Sequence, residues 1–143
     1  DWMVRLNRDG SLAGSKCGVR SATDITGYSF FRHAVEMANA SHVAFRFSFE
    51  RIPILENAFP YAAQFIFPGG AYDNRAFFQH KVRIERALSE DQQMLLYDPQ
   101  TSGGLLLAVP ADRCADFESS MAERNAPAWR VGEVIQGEGI VLV

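Results

Sequence analysis

Residues 26–50 read TGYSFFRHAVEMANASHVAFRFSFE, and the hydrophobic period changes within them. In the first part Phe31, Ala34, Val35 and Ala38 recur at i, i+3, i+4 and i+7, the spacing of one helix face, with Arg32, Glu36 and Asn39 off that face. From His42 to Glu50 the period drops to two, and Val43, Phe45, Phe47 and Phe49 fall on one side of a strand. A helix over residues 26–40 that runs straight into such a strand predicts a helix laid on a sheet.

Upstream of this stretch, Trp2, Met3 and Leu6 have helical spacing that loosens at Asp9-Gly10 and Gly14, and residues 18–23 read as a short strand. Downstream, Pro53, Pro60 and Pro68-Gly69-Gly70 cut residues 51–81 into short pieces. A short helix is expected near residues 57–65 and a strand over 81–86. Ser89-Glu90-Asp91-Gln92 has the form of a capped helix start, and Asp98-Pro99 ends that segment because proline disfavours the α conformation in the residue before it. Residues 103–110 are an apolar strand, residues 112–124 an amphipathic helix carrying Cys114, Phe117 and Met121, and residues 128–135 and 139–143 two closing strands. Strands and helices roughly alternate, so the expected class is α+β, a sheet with covering helices. No segment has the composition of a linker, and residues 1–143 are read as one domain.

Composition narrows the function classes. The chain has 143 residues, 48% hydrophobic and 22% charged, which suffices for a packed core without disulfide or metal staples. Its net charge of −3 comes without a basic stripe, which argues against nucleic acid as a partner. No polybasic segment suggests membrane anchoring, and the most apolar run, residues 105–109, is far too short to span a bilayer. The chain opens Asp1-Trp2-Met3 with no obvious natural start, so a piece of a longer protein is expected. Cys17 and Cys114 stand far apart and outside any CxxC pattern, which predicts free thiols in a reducing compartment. His33, His42 and His80 lack metal-ligand spacing.

Three segments have residues suited to chemistry. Thr23-Asp24-Ile25-Thr26-Gly27 joins a strand to a helix, where exposed N–H groups and the helix dipole suit anions and a carboxylate suits Mg²⁺; capping of the helix by Asp24 or Thr26 is the commoner use of such residues. Asp98-Pro99-Gln100-Thr101-Ser102-Gly103-Gly104 offers hydroxyls, a carboxylate and two glycines that permit close backbone approach; on these residues alone a turn feeding a buried strand is the favoured reading. Pro68-Gly69-Gly70 with Asp73 and Asn74 reads as a structural loop and helix cap. His33 fits a satisfied, partly buried side chain, and Cys114 a core position.

Taken together, two of these segments resemble a known family. Thr23-Asp24-Ile25-Thr26-Gly27-Tyr28, followed by His33 and Glu36-Met37-Ala38, is similar to the pattern TD(V/I)TGFGLLGHLLEMA, and Asp98 to Leu106 is similar to DPQTSGGLL; both are patterns of the selenophosphate synthetase (selenide, water dikinase) family. Leu6-Asn7, Pro68-Gly69-Gly70 with Asn74, and Val131-Gly132-Glu133-Val134 add matches in the right order along the chain. The resemblance is to the C-terminal half. It implies a three-layer α/β/α sandwich with a mixed sheet, partly ferredoxin-like, of the aminoimidazole ribonucleotide synthetase superfamily. It further implies a cytoplasmic parent enzyme that converts ATP, selenide and water to selenophosphate, AMP and phosphate with Mg²⁺. The catalytic Cys or selenocysteine and most of the dimer contacts would lie in an N-terminal half absent from this chain. Asp24 is then expected as a Mg²⁺ ligand, with Thr23, Thr26 and Gly27 shaping its turn and Asp98, Gln100, Thr101, Ser102, Gly103 and Gly104 either near the ATP or supporting the site or the interface between the two halves. Two family glycines are Ser29 and Arg32 here. These departures keep two other readings open: an ATP-dependent enzyme of the same superfamily with another substrate, or a non-catalytic assembly domain.

Overall fold

The computed structural model describes residues 2–143; Asp1, part of the opening noted above, lies outside them. In chain order the helices are α1 (Arg8–Lys16), α2 (Ser29–Ala40), α3 (Phe59–Ala62), α4 (Gly69–Phe78), α5 (Glu90–Leu95) and α6 (Cys114–Glu123). The strands are β1 (Ala22–Asp24), β2 (Ala44–Phe47), β3 (Val82–Ile84), β4 (Leu105–Leu107), β5 (Gly132–Ile135) and β6 (Gly139–Leu142).

Helix α2 organises the core. Phe31, Ala34, Val35 and Ala38 are buried, as their spacing requires. They lie against a four-stranded mixed sheet of order β3-β6-β2-β5, in which β6 runs parallel to both β2 and β3 while β5 is antiparallel to β2. The register sets Phe45 beside Ile140 and Phe47 beside Leu142, with Val82 and Ile84 continuing the two rows. Alternation along each strand sends these side chains to the α2 face. The opposite face carries Arg83, Val141, Arg46 and Glu133 in one row, and Arg46 pairs with Glu133 at 3.0 Å. The α+β class with a mixed sheet is thus what the chain adopts.

Strands β1 and β4 form a separate antiparallel pair, with Ala22 opposite Leu107 and Asp24 opposite Leu105. Helix α1 lies on one side of this pair. Its Gly10 and Gly14, which break the helical pattern in sequence, are the positions that face Leu105 and Leu107. The expected helix at residues 1–15 is therefore displaced: Trp2–Val4 make one 3₁₀ turn and the helix proper is α1. The strand expected over residues 18–23 is likewise confined to β1, because Gly18 turns the chain at φ +72° first.

Two more differences concern helices. Helix α2 starts at Ser29, so neither Asp24 nor Thr26 caps it; the N-cap position is Tyr28, which makes no side-chain cap bond. Helix α4 is absent from the sequence reading. It opens on two glycines, and its buried positions are Ala71 and Asn74, so a polar residue occupies the inward face and interrupts the apolar period. Helix α5 begins as expected, with a capping box between Ser89 and Gln92. Both cysteines are free, Cys17 buried and Cys114 only partly so; the Cys114 thiol reaches the Pro110 carbonyl at 3.5 Å rather than the core. Among the described residues no helix is long and apolar enough to cross a membrane.

Candidate functional site

The two glycine-flanked segments, far apart in sequence, are joined through their main chains. The pairing of Asp24 with Leu105 is extended past the end of β1: the Ile25 N–H donates to the Gly104 carbonyl at 2.9 Å, the Gly103 N–H to the Ile25 carbonyl at 2.9 Å, and the Gln100 N–H to the Thr26 carbonyl at 3.1 Å. The closeness of the strands fixes one residue type. A β-carbon on Gly103 would sit 2.8 Å from the Ile25 carbonyl oxygen, and Gly104 adopts φ +81°, the left-handed region where side chains are strained.

The third segment is attached to the same junction. Asn74, 6% exposed, donates through Nδ2 to the carbonyls of Tyr97 at 3.1 Å and Gly27 at 3.3 Å. Gly70 lies against Pro99, since a β-carbon there would be 3.4 Å from its ring. Arg75 of α4 pairs with Glu90, at the start of α5, at 2.5 Å. The reading of Pro68 to Asn74 as a loop and helix cap is corrected: Gly69 onward is helix α4, its N-cap Pro68 makes no side-chain cap bond, and Asn74 acts as a polar clamp from the helix's inward face.

Side chains divide into those already engaged and those presented to solvent. The Thr26 hydroxyl is hydrogen-bonded to His33 Nε2 at 3.1 Å, and His33 Nδ1 stands 3.9 Å from Glu36. Glu36 accepts from Arg32 Nε at 2.8 Å, and the Arg32 guanidinium stacks 3.5 Å above the Tyr28 ring. His33 is therefore a satisfied, partly buried side chain, as the sequence suggested. A crevice between β1 and α2 is lined by Arg20, Ser21, Thr23, His33, Glu36 and Met37.

The Asp98 carboxylate accepts from Gln100 Nε2 at 3.1 Å. Burial pushes its carboxyl above the ordinary range, an effect the Gln100 bond opposes. The neighbouring Tyr97 hydroxyl is pushed up to about 12, again by burial, with Arg75 pulling the other way. Asp24, Gly27, Thr101, Ser102 and Gly103 are exposed, while Thr23, Thr26, Asp98, Gln100 and Gly104 are half-buried. Asp24 makes no ion pair among the described residues. No group of three or more His, Cys, Asp or Glu side chains among them is placed to hold a metal there by itself. One free carboxylate beside open backbone at Gly27 and Gly104 suits Mg²⁺ that takes its remaining ligands from phosphates and water, and does not suit an all-protein cage.

Comparison with known proteins adds three findings. The sequence pattern of the family described as AIR synthase related protein, C-terminal domain, matches residues 2–143. A selenide, water dikinase of Pseudomonas putida (strain KT2440) is 38% identical over 136 residues, which is 95% of this chain and 39% of that protein. A selenide, water dikinase of Pseudomonas aeruginosa (strain PAO1) is 39% identical over 142 residues, 99% of this chain and 40% of that protein. The chain thus spans about two fifths of the length of these relatives. Among solved structures, thiamine-monophosphate kinase from Stenotrophomonas maltophilia K279a superposes with TM-score 0.56 at 15% identity, over 87% of this chain and 31% of that one. A protein from Thermus thermophilus superposes with TM-score 0.60 at 20% identity, over 96% of this chain and 35% of that one. At such identities the likeness is one of fold.

Proposed function

The chain belongs to the AIR synthase related protein, C-terminal domain family, and from that premise we propose that it is the C-terminal domain of a selenide, water dikinase. Residues 1–143 form one domain in this reading. The parent is a cytoplasmic homodimer whose N-terminal half supplies the nucleophile and most ATP contacts. It uses ATP and Mg²⁺ to convert selenide and water to selenophosphate, AMP and phosphate.

One observation carries the proposal: the main-chain junction of residues 24–26 with 100–105 leaves the Asp24 carboxylate exposed and unpaired, at the end of a strand and beside open glycine backbone. Asp24 is the residue that would hold Mg²⁺ there, with ATP phosphates completing the site. The metal, when bound, supplies neutralisation of charge on the departing phosphoryl groups. Thr26 acts indirectly. Its bond to His33 fixes the turn that follows Asp24, while Gln100 and Gly103 fix the same turn from across the junction. Gly27 and Gly104 leave room for a phosphate to approach the main chain. Thr101 and Ser102 present hydroxyls from an exposed turn.

The test uses the full-length parent with ATP, Mg²⁺ and selenide under anaerobic conditions, with phosphorus species followed by NMR. Asp24→Ala is expected to cut selenophosphate and AMP formation on the order of 100-fold, the rate equivalent of a few kcal/mol of lost charge stabilisation. It should leave the melting temperature unchanged, since the side chain is exposed and unpaired. Full activity in Asp24→Ala refutes the metal role, and a folded parent that makes no selenide-dependent product refutes the reaction. Arg32 is the observation behind the divergent-substrate reading, because it places a guanidinium on Tyr28, next to Gly27. Restored selenide turnover in Arg32→Gly, from an inactive parent, would favour that reading.

A further inference from the structure

Thr26 stands just before the turn into α2, and two bonds fix its main chain. Its carbonyl accepts from the Ser29 N–H at 2.9 Å and from the Gln100 N–H at 3.1 Å. These bonds set where the residue sits, but not where its hydroxyl proton points. That choice falls to His33, whose Nε2 is the hydroxyl's one partner among the described residues, at 3.1 Å.

A neutral imidazole carries its proton on one nitrogen, and the groups around the ring decide which. The Glu36 carboxylate stands on the Nδ1 side, 3.9 Å away. Arg32 keeps it there, since its Nε donates to the other carboxylate oxygen at 2.8 Å and its guanidinium is stacked on the Tyr28 ring. At 3.9 Å the carboxylate makes no direct hydrogen bond, yet its charge favours the proton on the nitrogen that faces it. Only 12% of the His33 side chain is exposed, so water screens that preference little. Nε2 is then left as an acceptor, and Thr26 donates its hydroxyl proton to it. The Thr26 oxygen keeps only lone pairs to offer elsewhere. Lone pairs suit the waters that Mg²⁺ retains where a carboxylate and phosphates supply its other ligands. They do not suit phosphate oxygens, which also only accept.

We propose that His33 is a positioning residue of the candidate site: through the tautomer that Glu36 sets, it holds the Thr26 hydroxyl as an acceptor for the water shell of the metal at Asp24. This rests on the proposed metal role of Asp24 and adds the two residues that act behind it. Two measurements test it, and neither needs turnover. The first is nitrogen NMR of the 143-residue chain with isotopically labelled histidine, in which only His33, His42 and His80 give ring signals and His33→Phe identifies its own. At mildly alkaline pH the His33 proton should lie on Nδ1, and the Nε2 resonance should move in Thr26→Val, which removes its partner. Glu36→Gln, changed at an exposed position, should give a mixture of the two tautomers. A proton on Nε2 in the unaltered chain overturns the proposal. The second loads the full-length parent with Mn²⁺ and a non-hydrolysable ATP analogue, and reads free Mn²⁺ by electron paramagnetic resonance. Thr26→Val and His33→Phe should each weaken Mn²⁺ binding about five-fold, the worth of one hydrogen bond, and the double variant no further. Thr26→Ser, which keeps the hydroxyl, should bind as the unaltered parent does. Additive losses, or a loss that Thr26→Ser shares, assign the effect to packing and overturn the proposal. Asp24→Ala separates it from the reading beneath: where Asp24→Ala weakens Mn²⁺ binding and Thr26→Val does not, the positioning role alone falls. Where neither does, the metal role falls with it.

Discussion

Ser29 sits at φ +75° with its side chain fully buried, and among the described residues its hydroxyl has no hydrogen-bond partner. A left-handed conformation costs a residue with a β-carbon about 1–2 kcal/mol, and a buried unsatisfied hydroxyl about 1–3 kcal/mol. Glycine removes both penalties at an entropic cost of about 0.5–1 kcal/mol and leaves a small void. Ser29→Gly is therefore expected to stabilise the chain by about 1 kcal/mol, seen as a melting temperature higher by roughly 3 °C; a lower one would mean that the hydroxyl is satisfied. This is also the physical sense of the family glycine at that position, which sequence alone could register only as a departure. Asp98 behaves in the opposite direction to an ion-paired carboxylate. Burial raises its value in the folded chain, so the fold favours the protonated form. That contribution is fully present below the ordinary value of about 3.9 and is lost as pH rises through the raised one. Asp98→Asn cannot ionise and still offers Gln100 an acceptor. Urea denaturation should find it more stable than the parent sequence at neutral pH, with the difference gone once the pH falls below the ordinary carboxylate value.

The junction of β1 with the 98–104 loop tolerates little. In Gly103→Ala the new methyl would meet the Ile25 carbonyl and side chain at 2.8 Å, and the strands must part to admit it. The expected cost is about 2 kcal/mol, within the range for overpacking. Hydrogen exchange at the amides of Ile25, Gln100 and residue 103 should quicken while the amides of β2 and β6 keep their protection. Unchanged exchange at Ile25 would show that the junction yields elsewhere. At this scale the sequence was legible where an element buries one face. Helix α2 and strand β2 were readable from Phe31, Val35, Phe45 and Phe47 because each packs its apolar residues to one side. Helix α4 was not, since Asn74 occupies its inward face and is satisfied there by two carbonyls from distant segments. The site residues stood out as candidates, yet their meeting depends on antiparallel pairing between remote stretches, which no local pattern encodes. The bond between Thr26 and His33 likewise depends on α2 starting at Ser29, beyond the turn, rather than at Thr26.

Across the whole molecule one side chain connects the parts. Phe31 is fully buried, its ring lies 5.0 Å from that of Tyr97, and its amide donates to the Leu96 carbonyl at 3.3 Å, so the start of α2, the sheet face and the base of the site loop meet on it. Phe31→Ala should cost about 3–5 kcal/mol, a large part of the roughly 5–15 kcal/mol that is typical of a domain. Near-ultraviolet circular dichroism should lose the Tyr97 signal well below the parent melting temperature; a loss under about 1 kcal/mol would mean that the core repacks around the gap. Strand β6 has a different kind of reach. It is the last element in chain order, yet it lies between β2 and β3, and β3 has no other neighbour in the sheet. Until residues 139–142 clear the ribosome, Phe45 and Phe47 lack the row that flanks them, and Val82 and Ile84 have nothing to pair with. The nascent polypeptide must carry that half-made surface until β6 has been made, and over that interval the growing chain is a natural client for chaperones.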